Sequence, residues 1–233
     1  MDELKQLYAA MQIIMNDRKI NQSPIPIFSF EGLPGAGKTT QIKLVSEALT
    51  QKYGKSYYID LPTKSPIGKI MKSLYSDEQK WNDVRESTPW LNPIMISTDL
   101  RITVEKAVEE GAKYAFMSRG VLSTYYYNLD AYSIDEEIAW KMMEGHMRAF
   151  YMPTAIVFMD IPEEDAYERV VKRNRGPLRK MDEVDVMRKD KDRLKRYLRR
   201  MPSVPVHYID AVGTEKEVTS RIINELEGYL QNE

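Results

Sequence analysis

The chain contains no cysteine. Disulfides, thiolate metal sites and cysteine nucleophiles are therefore excluded. Only two histidines are present, His146 and His207, and they lack the spacing of a metal-ligand pair. No apolar run reaches the roughly 18 residues that a membrane span requires. Asp2, Glu3 and Lys5 interrupt the N-terminus where a signal peptide would need an apolar core, so no secretory leader is expected. An excess of one charge sign is also missing. The formal net charge is −1, which argues against a protein that coats nucleic acid through bulk charge. There is neither an internal repeat nor a low-complexity tract. A soluble cytoplasmic enzyme is the expected class, and 233 residues suffice for one large α/β domain.

What is present is one complete motif. Gly32-Leu-Pro-Gly-Ala-Gly37-Lys38-Thr39 matches the P-loop pattern. The apolar run over 25–30 precedes it and reads as a buried strand; Ile42, Val45, Ala48 and Leu49 follow at helical spacing over 38–52. A backbone that wraps closely around phosphate oxygens leaves no room for side chains, which is why glycine recurs there. Its N–H groups and the positive end of the following helix then favour an anion. The pattern places Gly32, Pro34, Gly35, Ala36, Gly37, Lys38, Thr39 and Thr40 around a nucleoside triphosphate. Lys38 would reach the β- and γ-phosphates, and the Thr39 hydroxyl would hold Mg²⁺.

Strand and helix patterns alternate along the rest of the chain. Strands are predicted at 56–61, 114–117, 154–160 and 206–210. Helices are predicted up to residue 75, over 94–110 with Gly111 at the C-terminal cap, and over 121–128, 134–150, 163–173 and 185–200. Pro162 opens the helix over 163–173. A closing helix to residue 230 has Thr214 as its cap and Glu217 at capping-box spacing. The stretch 76–93 is polar and carries no assignable period. Residues 2–18 place Leu4, Leu7, Tyr8, Met11, Ile14 and Met15 on one helical face. That helix either meets a membrane or partner, or packs on the domain; its mixed polar face is unlike a basic lipid-binding face and favours packing. Residues 1–24 thus form an N-terminal helix and linker, and 25–233 a P-loop kinase domain.

The alternation implies a doubly wound α/β fold with a parallel sheet of about five strands and ligands at the carboxyl ends of the strands. The P-loop, Ser118-Arg119 and the basic run over 172–182 all fall at such ends and point to a single site. Asp160 also ends a strand; it either caps the next turn or approaches the donor site. A P-loop alone does not say whether the γ-phosphate goes to water or to another molecule. Arg173, Arg175 and Arg179 on the basic run could close as a lid over the transferred group and exclude water, or they could be a solvated turn between two helices.

From residue 27 to 229 the chain resembles the thymidylate kinases, in the nucleoside monophosphate kinase group. The resemblance rests on the P-loop over 31–41, on Pro62-Thr-Lys-Ser-Pro-Ile-Gly-Lys69 after the second strand, and on Ser118-Arg-Gly-Val-Leu-Ser-Thr-Tyr-Tyr-Tyr-Asn128. Segments 159–169 and 206–211 match the family's fourth and fifth strand regions. It implies ATP as donor with Mg²⁺, dTMP as acceptor, a small-molecule nucleotide partner and a homodimer. It also implies that Arg119 bridges the acceptor and transferred phosphates. Ser123, Tyr127 and Asn128 would line the acceptor pocket, and Arg101 would lie near the base.

Three departures cluster on the acceptor side. Pro34 stands where the family has an acidic P-loop residue, Ser118 where it has an aspartate, and Asp60 where many members carry an arginine for the acceptor phosphate. Two alternatives therefore stay open: a kinase for a nucleoside or small alcohol, with Asp60 as base, or a nucleic-acid-modifying P-loop kinase using the basic helix over 185–200. In that helix basic residues occupy most faces and alternate with Asp190 and Asp192, as on a solvated surface.

Overall fold

The computed structural model describes residues 22–88, 91–120, 122–123, 137, 140–141, 144, 150–174, 177–179, 182–201 and 203–231, and structural statements refer to these. Five parallel strands form one sheet: β1 (Ile27–Glu31), β2 (Ser56–Ile59), β3 (Tyr114–Ser118), β4 (Ala155–Asp160) and β5 (Val206–Asp210), in the order β2-β3-β1-β4-β5. Seven helices are described: α1 (Lys38–Tyr53), α2 (Pro66–Tyr75), α3 (Glu78–Ser87), α4 (Leu91–Glu109), α5 (Glu163–Arg173), α6 (Val184–Arg199) and α7 (Glu215–Leu226).

Both faces of the central strands are buried, so their sequences are mostly apolar, apart from buried Ser29 and Glu31 in β1, and alternate mainly in which layer they serve. Phe28, Phe30, Tyr114, Phe116, Val157 and Met159 pack against α1, α5 and α7. Ile27, Ala115, Met117, Ile156 and Phe158 pack against α2, α4 and α6. β1 lies between β3 and β4. The chain runs outward to one side of β1 and then to the other, so its carboxyl end is the switch point where such sheets take their ligands. The P-loop begins there.

Two expectations need correction. The polar stretch over 76–93 contains α3, capped by Asp77, whose side chain accepts from the Lys80 amide, and the start of α4 at Leu91. With only Trp81 and Val84 apolar, α3 offers no face to detect. The closing helix α7 stops at Leu226 and tightens into a single 3₁₀ turn over Glu227–Tyr229. The N-terminal helix over 2–18, most of the two helices between β3 and β4, and Tyr127, Asn128 and Arg175 lie outside the described residues.

Candidate active site

The P-loop is clamped from outside by backbone. Gly35 has φ 80°, and a Cβ there would sit 2.2 Å from the Ala166 carbonyl oxygen of α5; one at Gly32 (φ 134°) would sit 2.7 Å from the Met159 carbonyl oxygen of β4. Only glycine permits both the left-handed backbone and the approach. Pro34 and Ala36 are buried between these contacts, while Thr39 and Thr40 are exposed in the first turn of α1. The Lys38 ammonium donates to the carbonyls of Gly32 (2.8 Å) and Leu33 (2.7 Å). Burial, then the nearby Arg119 guanidinium, pull the Lys38 pKa down to about 7; Glu31 opposes the shift and Arg173 adds to it. Lys38 and Arg119 thus act on the buried Glu31 carboxylate, and Arg173 adds positive charge near Lys38. An anion at the loop would relieve the excess positive charge, and the residues present fit a polyphosphate.

Glu31, at the end of β1, is 1 % exposed and was not singled out in the sequence. Its oxygens accept from the Gly120 amide (2.8 Å) and the Ser123 hydroxyl (2.5 Å). Burial pushes its carboxyl above the ordinary range, against the Ser123 hydrogen bond and the charges of Arg119 and Lys38. These bonds fix the chain after β3, where Arg119 adopts φ 73° and its amide donates to the Phe30 carbonyl (3.0 Å). A non-glycine residue held in that region costs free energy, and here the surrounding hydrogen bonds impose it. Ser123 is accordingly a partner of Glu31 rather than an open wall.

A cleft of about 430 Å³ runs from Gly35, Gly37 and Thr40 past Arg169 and Arg173 to the turn over 211–215. The Arg169 guanidinium donates to the Ala211 carbonyl (3.2 Å), and Gln41 bridges α1 to α7 through the Glu215 carbonyl and the Thr219 hydroxyl. Its volume suits a nucleoside beside the P-loop. The sequence pointed to Gly35, Ala36, Gly37, Thr40 and Arg173 of this lining, whereas Gln41 and the distant Met159, Arg169 and turn over 211–215 carried no local signal of a site.

On the opposite side, Asp60 is exposed just beyond β2, and Pro62 follows through a cis peptide bond. Arg101 in α4 stacks its guanidinium 4.1 Å from the Tyr151 ring, whose hydroxyl donates to Glu105 (2.8 Å). Arg179 is clamped to Asp182 by its Nε and Nη2 at 3.1 Å each. Of the expected arginines, Arg119 and Arg173 lie close enough to Lys38 to perturb it. Among the described residues no three acidic or imidazole side chains converge as a metal site. A metal at Thr39 would draw its remaining ligands from phosphate and water, as Mg²⁺ commonly does.

A thymidylate kinase family model matches residues 30–222. The chain belongs to the thymidylate kinase family. It is 29 % identical over 205 residues to a probable thymidylate kinase of Archaeoglobus fulgidus, covering 88 % of this chain and 96 % of that one. The thymidylate kinase of Vibrio parahaemolyticus is 26 % identical over 206 residues, covering 87 % and 96 %. The five-stranded parallel sheet flanked by helices is consistent with a P-loop kinase fold, and no described helix is long and apolar enough to cross a membrane.

Within this thymidylate kinase framework the basic helix α6 is solvated on one side only, where Arg188, Lys189, Arg196 and Arg199 are exposed. It buries Met187, Leu194, Tyr197 and Leu198. Lys191 and Lys195 bind the two oxygens of Asp160 (2.9 and 2.6 Å), and Lys191 also reaches Glu163 (3.1 Å). Arg188 pairs with Asp185 and Glu164. Burial alone would raise the Asp160 pKa, but hydrogen bonds from Lys195 and Lys191 hold it below the ordinary value. Asp160 therefore ties α6 to the tip of β4. No local pattern signals this tether, because the partners are more than thirty residues away.

Proposed function

We propose that this chain transfers the γ-phosphoryl group of ATP to a nucleoside monophosphate, with dTMP as acceptor. The observation carrying this reading is the placement of Arg119 and Arg173 near Lys38 at a glycine-lined loop. Lys38 would leave the Gly32 and Leu33 carbonyls for the β- and γ-phosphates. Arg119, projected from a strained backbone, would span the acceptor and transferred phosphates, and Arg173 with Arg175 and Arg179 would close the donor side. Mg²⁺ at the Thr39 hydroxyl would supply charge neutralisation between the β- and γ-phosphates. The acceptor oxygen of a nucleotide phosphate is already ionised, so no strong base is needed. A homodimer and a cytoplasmic location belong to the same reading. The internal pairing of Arg188, Lys191 and Lys195 speaks against a nucleic-acid surface on α6.

ADP release measured against each nucleoside and each monophosphate tests the proposal. Release with dTMP and none with thymidine supports it. The reverse result would replace it with a nucleoside kinase, for which the exposed Asp60 beyond β2 is the candidate base. The Lys38→Ala variant is expected to lose nearly all turnover; full turnover in that variant would remove the P-loop lysine from the mechanism.

A further inference from the structure

Asp99 lies midway along α4 and is completely buried, at 0 % exposure. Both its oxygens are occupied by one short loop. Oδ2 accepts from the Thr63 amide (2.7 Å), and Oδ1 accepts from the Thr63 hydroxyl (2.6 Å) and the Ser65 hydroxyl (2.5 Å). All three donors are neutral. Taking a carboxylate out of water for neutral partners is costly, and an apolar residue of the same shape would pack at less cost. What the arrangement provides is position.

The loop has no freedom left. The Thr63 hydroxyl also meets that of Thr103 (3.0 Å) and accepts from the Ser65 amide (3.1 Å). The Ser65 hydroxyl accepts from the Gly68 amide (3.0 Å) and so caps α2. At Gly68 a Cβ would meet the Thr63 carbonyl oxygen at 2.5 Å and Asp99 Oδ2 at 2.9 Å. This loop leaves the carboxyl end of β2 with Asp60 and Pro62 on it, facing the side of the P-loop away from the donor cleft.

We propose that Asp99 is a positioning residue for the acceptor: through Thr63 and Ser65 it sets the placement of the loop over 60–65, and hence acceptor affinity, without touching the donor site. This rests on the kinase reading above. The Asp99→Asn variant keeps the shape but turns an acceptor oxygen into an amide that cannot accept from Thr63. Thr63→Val keeps the loop amide and removes the hydroxyl bonds, and it serves if Asp99→Asn does not fold.

Steady-state kinetics with the acceptor varied, and calorimetric binding of a nonhydrolysable ATP analogue, separate the outcomes. Acceptor KM should rise roughly tenfold or more in both variants, as expected for a lost charge-assisted hydrogen bond, while kcat and analogue affinity stay within about a factor of two. Hydrogen exchange over 60–68 should accelerate in the ligand-free variants. An unchanged acceptor KM in a folded variant overturns the positioning role, and so does an equal loss of analogue affinity, which would mark a general structural defect. Failure of the unaltered chain to phosphorylate any acceptor would instead overturn the functional reading, and this role with it.

Discussion

Replacing Asp190 with asparagine should make this protein more stable at neutral pH, and the reason lies in burial. Asp190 is on the packed face of α6 and only 8 % exposed. Burial raises its pKa from 3.8 to about 6, even though the charges of Arg193 and Arg119 pull the other way. That interval of about 2 on the pH scale corresponds to about 3 kcal/mol, at 1.36 kcal/mol per tenfold change. Below pH 3.8 both folded and unfolded chains hold the proton and no penalty exists. As pH rises from there, the unfolded chain ionises first; the native state then binds more protons and loses stability until its own carboxyl titrates near 6. Above that the full cost is in place. Asp190→Asn keeps the shape of the protonated acid and removes the titration. At about pH 7.5 the variant should gain up to about 3 kcal/mol, which for a chain of this length is about 6 °C in Tm; the figure is already net of the attraction to the two arginines. At about pH 4 the two proteins should nearly coincide. Urea unfolding of both across this range gives the difference directly, and the buried Glu31 cancels because it is common to both. A difference that does not grow with pH, or a variant less stable at about pH 7.5, would show that pairing with the arginines outweighs burial and would refute the reasoning.

Lys38 gives a second pH signature. Its pKa of about 7 in the free protein leaves it largely neutral above that value, whereas a bound triphosphate requires the ammonium. Binding of an ATP analogue at about pH 8 should therefore take up close to one proton and weaken as pH rises further; calorimetry in buffers of differing ionisation enthalpy reads the uptake, and zero uptake would contradict the assignment. Gly35→Ala combines a left-handed φ of 80° with a 2.2 Å approach to the Ala166 carbonyl. It should cost about 2 kcal/mol or more and abolish analogue binding; a thermal melt and a binding isotherm matching the unaltered protein would show that the loop is not clamped as described.

The parts of the molecule legible in its sequence are those with local causes. The P-loop, the capping box at Thr214 and Glu217, and the proline-opened helix α5 each carry their signal within a few residues, and the helices they open start where expected. Helix α3 was hidden because its capping aspartate and polar faces lack an apolar stripe. Glu31 and Asp99 were hidden for a different reason. Each is one acidic residue in an ordinary strand or helix, and its role depends on donors 89 and 36 residues away. Of the charges on α6, Arg188, Lys189, Arg196 and Arg199 are exposed as the pattern suggested, but Lys191 and Lys195 look like surface residues until Asp160 is placed beneath them.

That tether has a consequence for how a substrate can be enclosed. The incoming helix α5 is wedged against Gly35 at Ala166, and the outgoing helix α6 is pinned at its middle by two lysines to the tip of β4. Arg173 and Val184, where the basic run leaves α5 and enters α6, are therefore each carried by a helix held to the P-loop or to the sheet. Arg173 closes the first of these helices. On the proposed reading a triphosphate would meet that guanidinium without any rearrangement of the backbone that carries it.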